Sequence, residues 1–292
     1  MKRRAFLASC TAGLAGCALA RGADSEAARN KGPFADAPLK ISVPPSWFKG
    51  SIDERLEQIA TWGFPAYEWL NPTGDLDALR TKADSLGLEL SCIVGAGRIG
   101  PGTMVNPDDH DDVVKQFRER VAMAKQLGCK RLIGLTGNER DDVSREQQAE
   151  YVVQCLKRLA PIAEGENVVI VMEALNPLVD HKGFFLTRTD QTMAILEAVD
   201  SPNVKMCFDI YHQQITEGNV IRNFSQNIDR IGHFHVGDNP GRREPGTGEL
   251  NYKNIFKAIN RKGYDGFVAM ECGTSRGTEA ALKAILDCLD WA

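Results

Sequence analysis

The chain has 292 residues, 43% of them hydrophobic and 25% charged, which supplies ample apolar material for a large core and carries no compositional mark of disorder. Lysine and arginine number 35 against 39 aspartates and glutamates, a formal net charge of −4. With no basic surplus to neutralise a phosphate backbone, nucleic-acid binding is not expected.

Residues 1–20, MKRRAFLASCTAGLAGCALA, join a basic start (Lys2, Arg3, Arg4) to an apolar stretch rich in Ala, Gly and Leu, the pattern of an export signal. Arg3-Arg4-Ala5-Phe6-Leu7 resembles a twin-arginine signal, and Leu14-Ala15-Gly16-Cys17 resembles a lipobox that would place a lipid on Cys17. Ala18-Leu19-Ala20 offers a soluble cleavage site instead. The apolar stretch is shorter than the ~20 residues that span a bilayer. The mature protein is therefore expected outside the cytoplasm, touching a membrane at most through a lipid on Cys17. Residues 21–37 are small, polar and punctuated by Gly and Pro, which reads as a linker to one domain over 38–292.

From residue 39 onward, short Val- and Ile-rich runs alternate with segments of helical periodicity, as in successive βα units of a parallel sheet. The runs lie at 39–43, 66–70, 88–94, 130–135, 168–173, 204–209, 231–236 and 266–271, with helical stretches such as 51–62, 111–127, 144–164 and 189–199 between them. Ser51 and Ser144 are suited to cap helix starts, and Gly128 and Gly263 to end helices. Such a series favours a single (β/α)₈ TIM barrel, for which about 250 residues is typical, over an open doubly wound sheet. Gly95-Ala96-Gly97-Arg98-Ile99-Gly100 has the letters of a dinucleotide fingerprint but runs straight into Pro101-Gly102, so it reads as a loop. Cys10 and Cys17 lie in the leader, and the remaining cysteines form no C-x-x-C pair, so they read as packing residues.

Functional residues of such a barrel gather where its strands end, on the C-terminal rim. The last four runs end in Glu173, Asp209, His235 and Glu271. Taken singly, each could be a helix cap or a solvated strand end. Together, three carboxylates beside apolar strands repel one another and are costly to desolvate, a conflict that a divalent cation resolves. Mixed carboxylate and imidazole donors suit Mn²⁺ or Mg²⁺, with Co²⁺ and Zn²⁺ compatible, and the lack of cysteine ligands argues against a structural zinc. Glu68 ends the second run on the same rim and is expected to touch substrate. Trp47 and Phe48 could wall the site or simply pack. His233 lies two residues before His235, on the same strand face and one layer deeper. His110 and His181 read as surface residues.

Three stretches, Asp209-Ile210-Tyr211-His212, Gly232-His233 through Asp238-Asn239-Pro240-Gly241-Arg242, and Glu244-Pro245-Gly246-Thr247-Gly248-Glu249-Leu250-Asn251-Tyr252, carry a resemblance to the hydroxypyruvate isomerase family. That family lies within the xylose-isomerase-like barrel superfamily, which also holds ketose 3-epimerases and endonuclease IV. The resemblance implies that Glu173 and Glu271 bind the metal and shuttle a proton, that Asp209 and His235 complete the metal shell, and that His212 and Arg242 face substrate. The implied chemistry is interconversion of hydroxypyruvate and tartronate semialdehyde through a cis-enediolate, on a small hydroxycarbonyl or sugar substrate. Two departures bear on substrate. The close hydroxypyruvate isomerases that this chain resembles carry Gln where His235 stands, whereas the ketose 3-epimerases carry His there, and a Lys common after the last glutamate is absent, the sequence being Glu271-Cys272-Gly273-Thr274. A ketose 3-epimerase is therefore the alternative, and a non-catalytic exported sugar-binding barrel is the alternative of another class. The histidine-rich, three-metal DNA-repair branch fits poorly with five histidines and an acidic balance. A homo-oligomer is compatible with the sequence.

Overall fold

In the computed structural model, which describes residues 32–291, the apolar runs become nine short parallel strands. They are β1 (Lys40–Val43), β2 (Ala66–Tyr67), β3 (Glu89–Leu90), β4 (Ile93–Ala96), β5 (Arg131–Gly134), β6 (Val169–Glu173), β7 (Val204–Asp209), β8 (Ile231–Val236) and β9 (Phe267–Met270). The helices between and after them are α1 (Ile52–Thr61), α2 (Leu76–Ser85), α3 (His110–Leu127), α4 (Arg145–Gly165), α5 (Thr189–Val199), α6 (Ile210–Thr216), α7 (Val220–Gln226), α8 (Tyr252–Arg261) and α9 (Thr278–Leu289).

The hydrogen-bonded order is β3-β2-β1-β9-β8-β7-β6-β5-β4, so the sheet closes on itself except between β3 and β4. Those two are halves of one expected run, interrupted at Ser91 and Cys92. Nine strands thus make eight barrel positions, and the (β/α)₈ reading holds. The outer helices form for local reasons. Ser51 and Glu54 make a reciprocal capping box at the start of α1, Ser144 caps α4, and Gly128 ends α3 at φ +68, a conformation open to glycine at little cost.

The packed unit starts earlier than residue 38. Phe34, within the stretch read as linker, is buried and stacks on Phe64 with ring centroids 4.1 Å apart. Leader residues 1–20, with the twin-arginine and lipobox patterns, lie outside the described residues. Among the described residues no helix is long and apolar enough to cross a membrane. Cys92, Cys129, Cys155 and Cys207 are buried, and all six described cysteines are unpaired, in accord with their reading as packing residues.

Candidate metal centre

Parallel register brings the strand ends level: Asp209 pairs with His235 across β7 and β8, and Glu173 ends β6 opposite Cys207. Ligand atoms of Glu173, Asp209, His235 and Glu271 all lie within 4.8 Å of one another. His235 Nδ1 stands 2.7 Å from Glu173 Oε1 and 3.0 Å from Glu271 Oε2. Asp209 also caps α6, accepting the His212 N–H on Oδ1 at 3.2 Å, so a helix cap and a cluster member are the same residue.

Electrostatics make this a site that demands positive charge. Burial, reinforced by the charges of Glu271 and Asp209, outweighs the attraction of His235 and raises the Glu173 carboxyl to about 7. For Glu271 burial loses: His235 and Arg242 hold it well below the usual carboxylate range. Burial would also strip His235 of its proton, yet the acids around it, Glu271, Glu68 and Glu173, keep its pKa well above the ordinary value. Arg242 Nη2 donates to Glu271 Oε2 at 2.6 Å and to Asp209 Oδ2 at 3.1 Å, bridging two of the carboxylates. The donor set, three carboxylates and one imidazole with neighbouring cations and a raised carboxyl sharing the neutralisation, fits a hard or borderline divalent metal.

Arg242 and His212 are each held from behind. The Arg242 guanidinium lies 5.1 Å over the Tyr211 ring, and its backbone takes φ +50, unusual for a residue with a side chain. Asn176 Nδ2 and its backbone N–H both donate to His212 Nδ1, at 2.7 and 3.3 Å. The Asn176 amide cannot turn round, because its Oδ1 accepts the N–H groups of Val179 and Asp180. The neutral His212 proton is thereby assigned to Nε2, which is buried, has no hydrogen-bond partner and stands 3.5 Å from Asp209 Oδ2.

The loop after β8 is organised by Asp238. Its Oδ2 accepts the N–H groups of Gly246, Thr247 and Gly248 at 2.8 to 3.0 Å, and its Oδ1 those of Asn239 and Leu250. The loop closes so tightly that a Cβ on Gly248 would stand 2.2 Å from the Asn239 carbonyl oxygen. Replacing Asp238 by Ala strips five backbone donors of their acceptor at a buried site. It is expected to destabilise the protein by about 3 kcal/mol or more and to release Arg242. Urea unfolding measures the first effect. A loss within ~0.5 kcal/mol of wild type would show that water replaces the carboxylate.

Of the four cluster residues, Glu271 is the one open to solvent, its side chain 27% exposed against 7% or less for Glu173, Asp209 and His235. It lines a cavity of about 490 Å³ whose wall includes Pro44, Trp69, Leu70 and Arg55. Arg55 is the one cationic side chain on that wall. Its Nε donates to the Gly50 carbonyl at 2.8 Å, and among the described residues it has no ion-pair partner. Sequence reasoning missed it, because beside Asp53 and Glu54 it has the look of an ordinary solvated helix charge.

Other expectations need correcting. Glu68, expected to touch substrate, borders the cavity, and its carboxylate turns into the barrel, where it is buried against His233 and His235. His110 is buried and sets Nε2 3.0 Å from the Met104 carbonyl, so it is not a surface residue. His181 is half-buried, edge-on to His212 at 5.2 Å. Trp47 and Phe48 are packing residues, with Trp47 Nε1 donating to the Cys272 carbonyl. His233 lies one layer below His235, as expected.

A family model described as xylose isomerase-like TIM barrel matches residues 56–290. Hydroxypyruvate isomerase of Escherichia coli (strain K12) is 33% identical over 258 residues, covering 84% of this chain and 97% of the relative. A 2-oxo-tetronate isomerase of Cupriavidus necator is 32% identical over 234 residues, covering 78% and 90%. Among solved structures, D-psicose 3-epimerase with D-tagatose from Clostridium cellulolyticum H10 is similar with a TM-score of 0.67 at 20% identity, over 87% of this chain and 98% of that one. That likeness concerns the fold.

Proposed function

The chain belongs to the hydroxypyruvate isomerase family of xylose isomerase-like TIM barrels, and from that premise we propose that it interconverts hydroxypyruvate and tartronate semialdehyde at the Glu173, Asp209, His235 and Glu271 cluster. It is an isomerase, and its substrate is a small molecule. The observation that carries the reading is the convergence of three carboxylates and one imidazole within 4.8 Å, with Glu271 open to a cavity. Mn²⁺ or Mg²⁺ suits this oxygen-rich set best. When bound, such an ion supplies Lewis-acid polarisation of the carbonyl and hydroxyl oxygens and stabilises developing negative charge.

This chain's own groups do the rest. A carboxylate of the Glu173 and Glu271 pair accepts the proton from the hydroxymethyl carbon of hydroxypyruvate, leaving an enediolate across that carbon and the former carbonyl carbon. Return of a proton to the former carbonyl carbon, with transfer of the hydroxyl proton to the former carbonyl oxygen, gives the aldehyde with no net gain or loss of protons. His212 Nε2–H, with no protein partner, is suited to donate to a substrate oxygen where charge develops. Arg242 holds Glu271 and Asp209 in place and offers its remaining donors to substrate.

Arg55 favours an acid over a neutral sugar. The names of both curated relatives denote 2-oxo acids, and a guanidinium on the cavity wall is suited to a carboxylate. Arg55→Met is expected to raise KM for hydroxypyruvate about tenfold, the worth of one charge-assisted hydrogen bond, and to leave exchange into neutral dihydroxyacetone unchanged. Equal effects on both compounds would remove Arg55 from substrate recognition.

A second reading, ketose 3-epimerase, is favoured by the imidazole at His235. Incorporation of solvent deuterium into hydroxypyruvate and a panel of ketoses by Mn²⁺-loaded protein separates the two. Exchange confined to hydroxypyruvate supports the proposed substrate, exchange into a ketose moves the assignment to epimerisation, and exchange into neither removes both substrate classes. The leader of residues 1–20 supports action outside the cytoplasm, a reading tested by fractionating cells that express the full chain.

A further inference from the structure

His235 spans two acidic environments. Its Nδ1 faces the metal cluster, 2.7 Å from Glu173 Oε1 and 3.0 Å from Glu271 Oε2, while its Nε2 faces the barrel interior, 3.2 Å from Glu68 Oε1. Both Nε2 and Oε1 are buried and neither has another hydrogen-bond partner, so each has only the other to satisfy it. The contact is close without the alignment of a full hydrogen bond.

Glu68 is itself held firmly. Ser91 Oγ donates to its Oε2 at 2.8 Å, Ser42 Oγ donates to Ser91 Oγ at 2.9 Å, and His233 Nε2 stands 2.7 Å from the same Oε2. His233 and His235 set the Glu68 carboxyl to about 2 against the opposing effect of burial. Ser42, Ser91, Glu68 and His233 therefore form a polar layer beneath the cluster, all of them 4% exposed or less. A buried carboxylate is costly unless it is paired and hydrogen-bonded, and although Glu68 borders the cavity its two oxygens are engaged inward, Oε2 by Ser91 and His233 and Oε1 facing His235.

An imidazole nitrogen binds a metal only through its lone pair, so a ligand at Nδ1 requires the proton at Nε2. Glu68 Oε1 stands where it would accept that proton's hydrogen bond. We propose that Glu68 is a positioning residue that fixes His235 as the Nε2–H form, with Nδ1 turned to the cation, and that it is not a substrate contact. Ser91 and His233 keep the carboxylate from rotating away. The inference rests on the metal-centre reading above, since without a cation the orientation of Nδ1 has no such use.

The test is Mn²⁺ binding by electron paramagnetic resonance to wild type, Glu68→Gln and Glu68→Ala, with circular dichroism to confirm folding. Loss of an outer partner of a ligating histidine weakens metal binding about 10- to 100-fold, and that range is expected here, with the isosteric Gln variant at the lower end. If the Ala variant does not fold, the Gln variant decides. A second readout is ¹⁵N NMR of the Zn²⁺-loaded protein. It is expected to show His235 with Nε2 protonated and Nδ1 ligated in wild type, and a mixed or reversed pattern in the Gln variant, which loss of packing alone would not produce. Wild-type affinity and an unchanged His235 pattern in the folded variants would overturn the inference and leave the metal centre standing. Absence of metal binding by wild type would overturn both.

Discussion

Glu173→Gln and Glu271→Gln are each expected to lower solvent-deuterium exchange into hydroxypyruvate by about a thousandfold, within the range that a positioned acid or base contributes. Glutamine keeps the shape of the side chain and one oxygen donor but cannot take up a proton. The fold should survive, because the barrel core is made by the apolar strand residues beneath the rim. Metal content has to be measured alongside the rate. A thousandfold loss with metal still bound assigns the residue to proton movement, whereas a loss that follows metal content assigns it to ligation alone. Full exchange in either variant removes that glutamate from the mechanism. The two positions differ in one respect that sharpens the comparison: the Glu271 side chain is 27% exposed and borders the cavity, while Glu173 is buried. A bulky or charged chemical probe should therefore reach Glu271 first.

Metal removal is the second large effect. Exhaustive dialysis against EDTA is expected to bring exchange down to background, and stoichiometric Mn²⁺ should restore it, since the charge of the enediolate would otherwise face a ring of carboxylates. Far-ultraviolet circular dichroism should hardly change. Arg242 bridges Asp209 and Glu271, and the Glu173 carboxyl rises to about 7, so the cluster can be neutralised without an ion. The sign of the proton linkage follows from that raised value. At pH 6 the metal-free Glu173 is mostly protonated, a ligating carboxylate is not, and Mn²⁺ uptake should release at least one proton per ion. Titration in weakly buffered solution reads this directly. Exchange that survives chelation, or uptake without proton release at pH 6, would contradict the assignment of Glu173 as a ligand.

Much of the site could be read along the chain because a parallel barrel turns a linear feature into a spatial one. Every strand of the closed sheet points the same way, so residues that end strands share a rim whatever their separation in sequence. That is why Glu173, Asp209, His235 and Glu271 could be grouped from their places at the ends of four apolar runs. The depth of His233 was legible for a similar reason, since residues two apart on a strand share a face.

What the chain by itself determined about this protein, then, is its barrel class, its family and the four residues that converge at the rim, all of which depend on local pattern and strand direction. Tertiary structure alone decided where side chains point. Glu68 ends its strand as a substrate contact would, but His233, 165 residues away, and Ser91 draw its carboxylate inward. Arg55 acquires meaning only when α1 folds beside the loop after β2 and the two wall one cavity with Glu271. Ser91 and Cys92 sit inside an apolar run, yet the ladder breaks there into β3 and β4. In each case the deciding free energy is a contact between distant segments, and pattern along one segment carries no record of its partner.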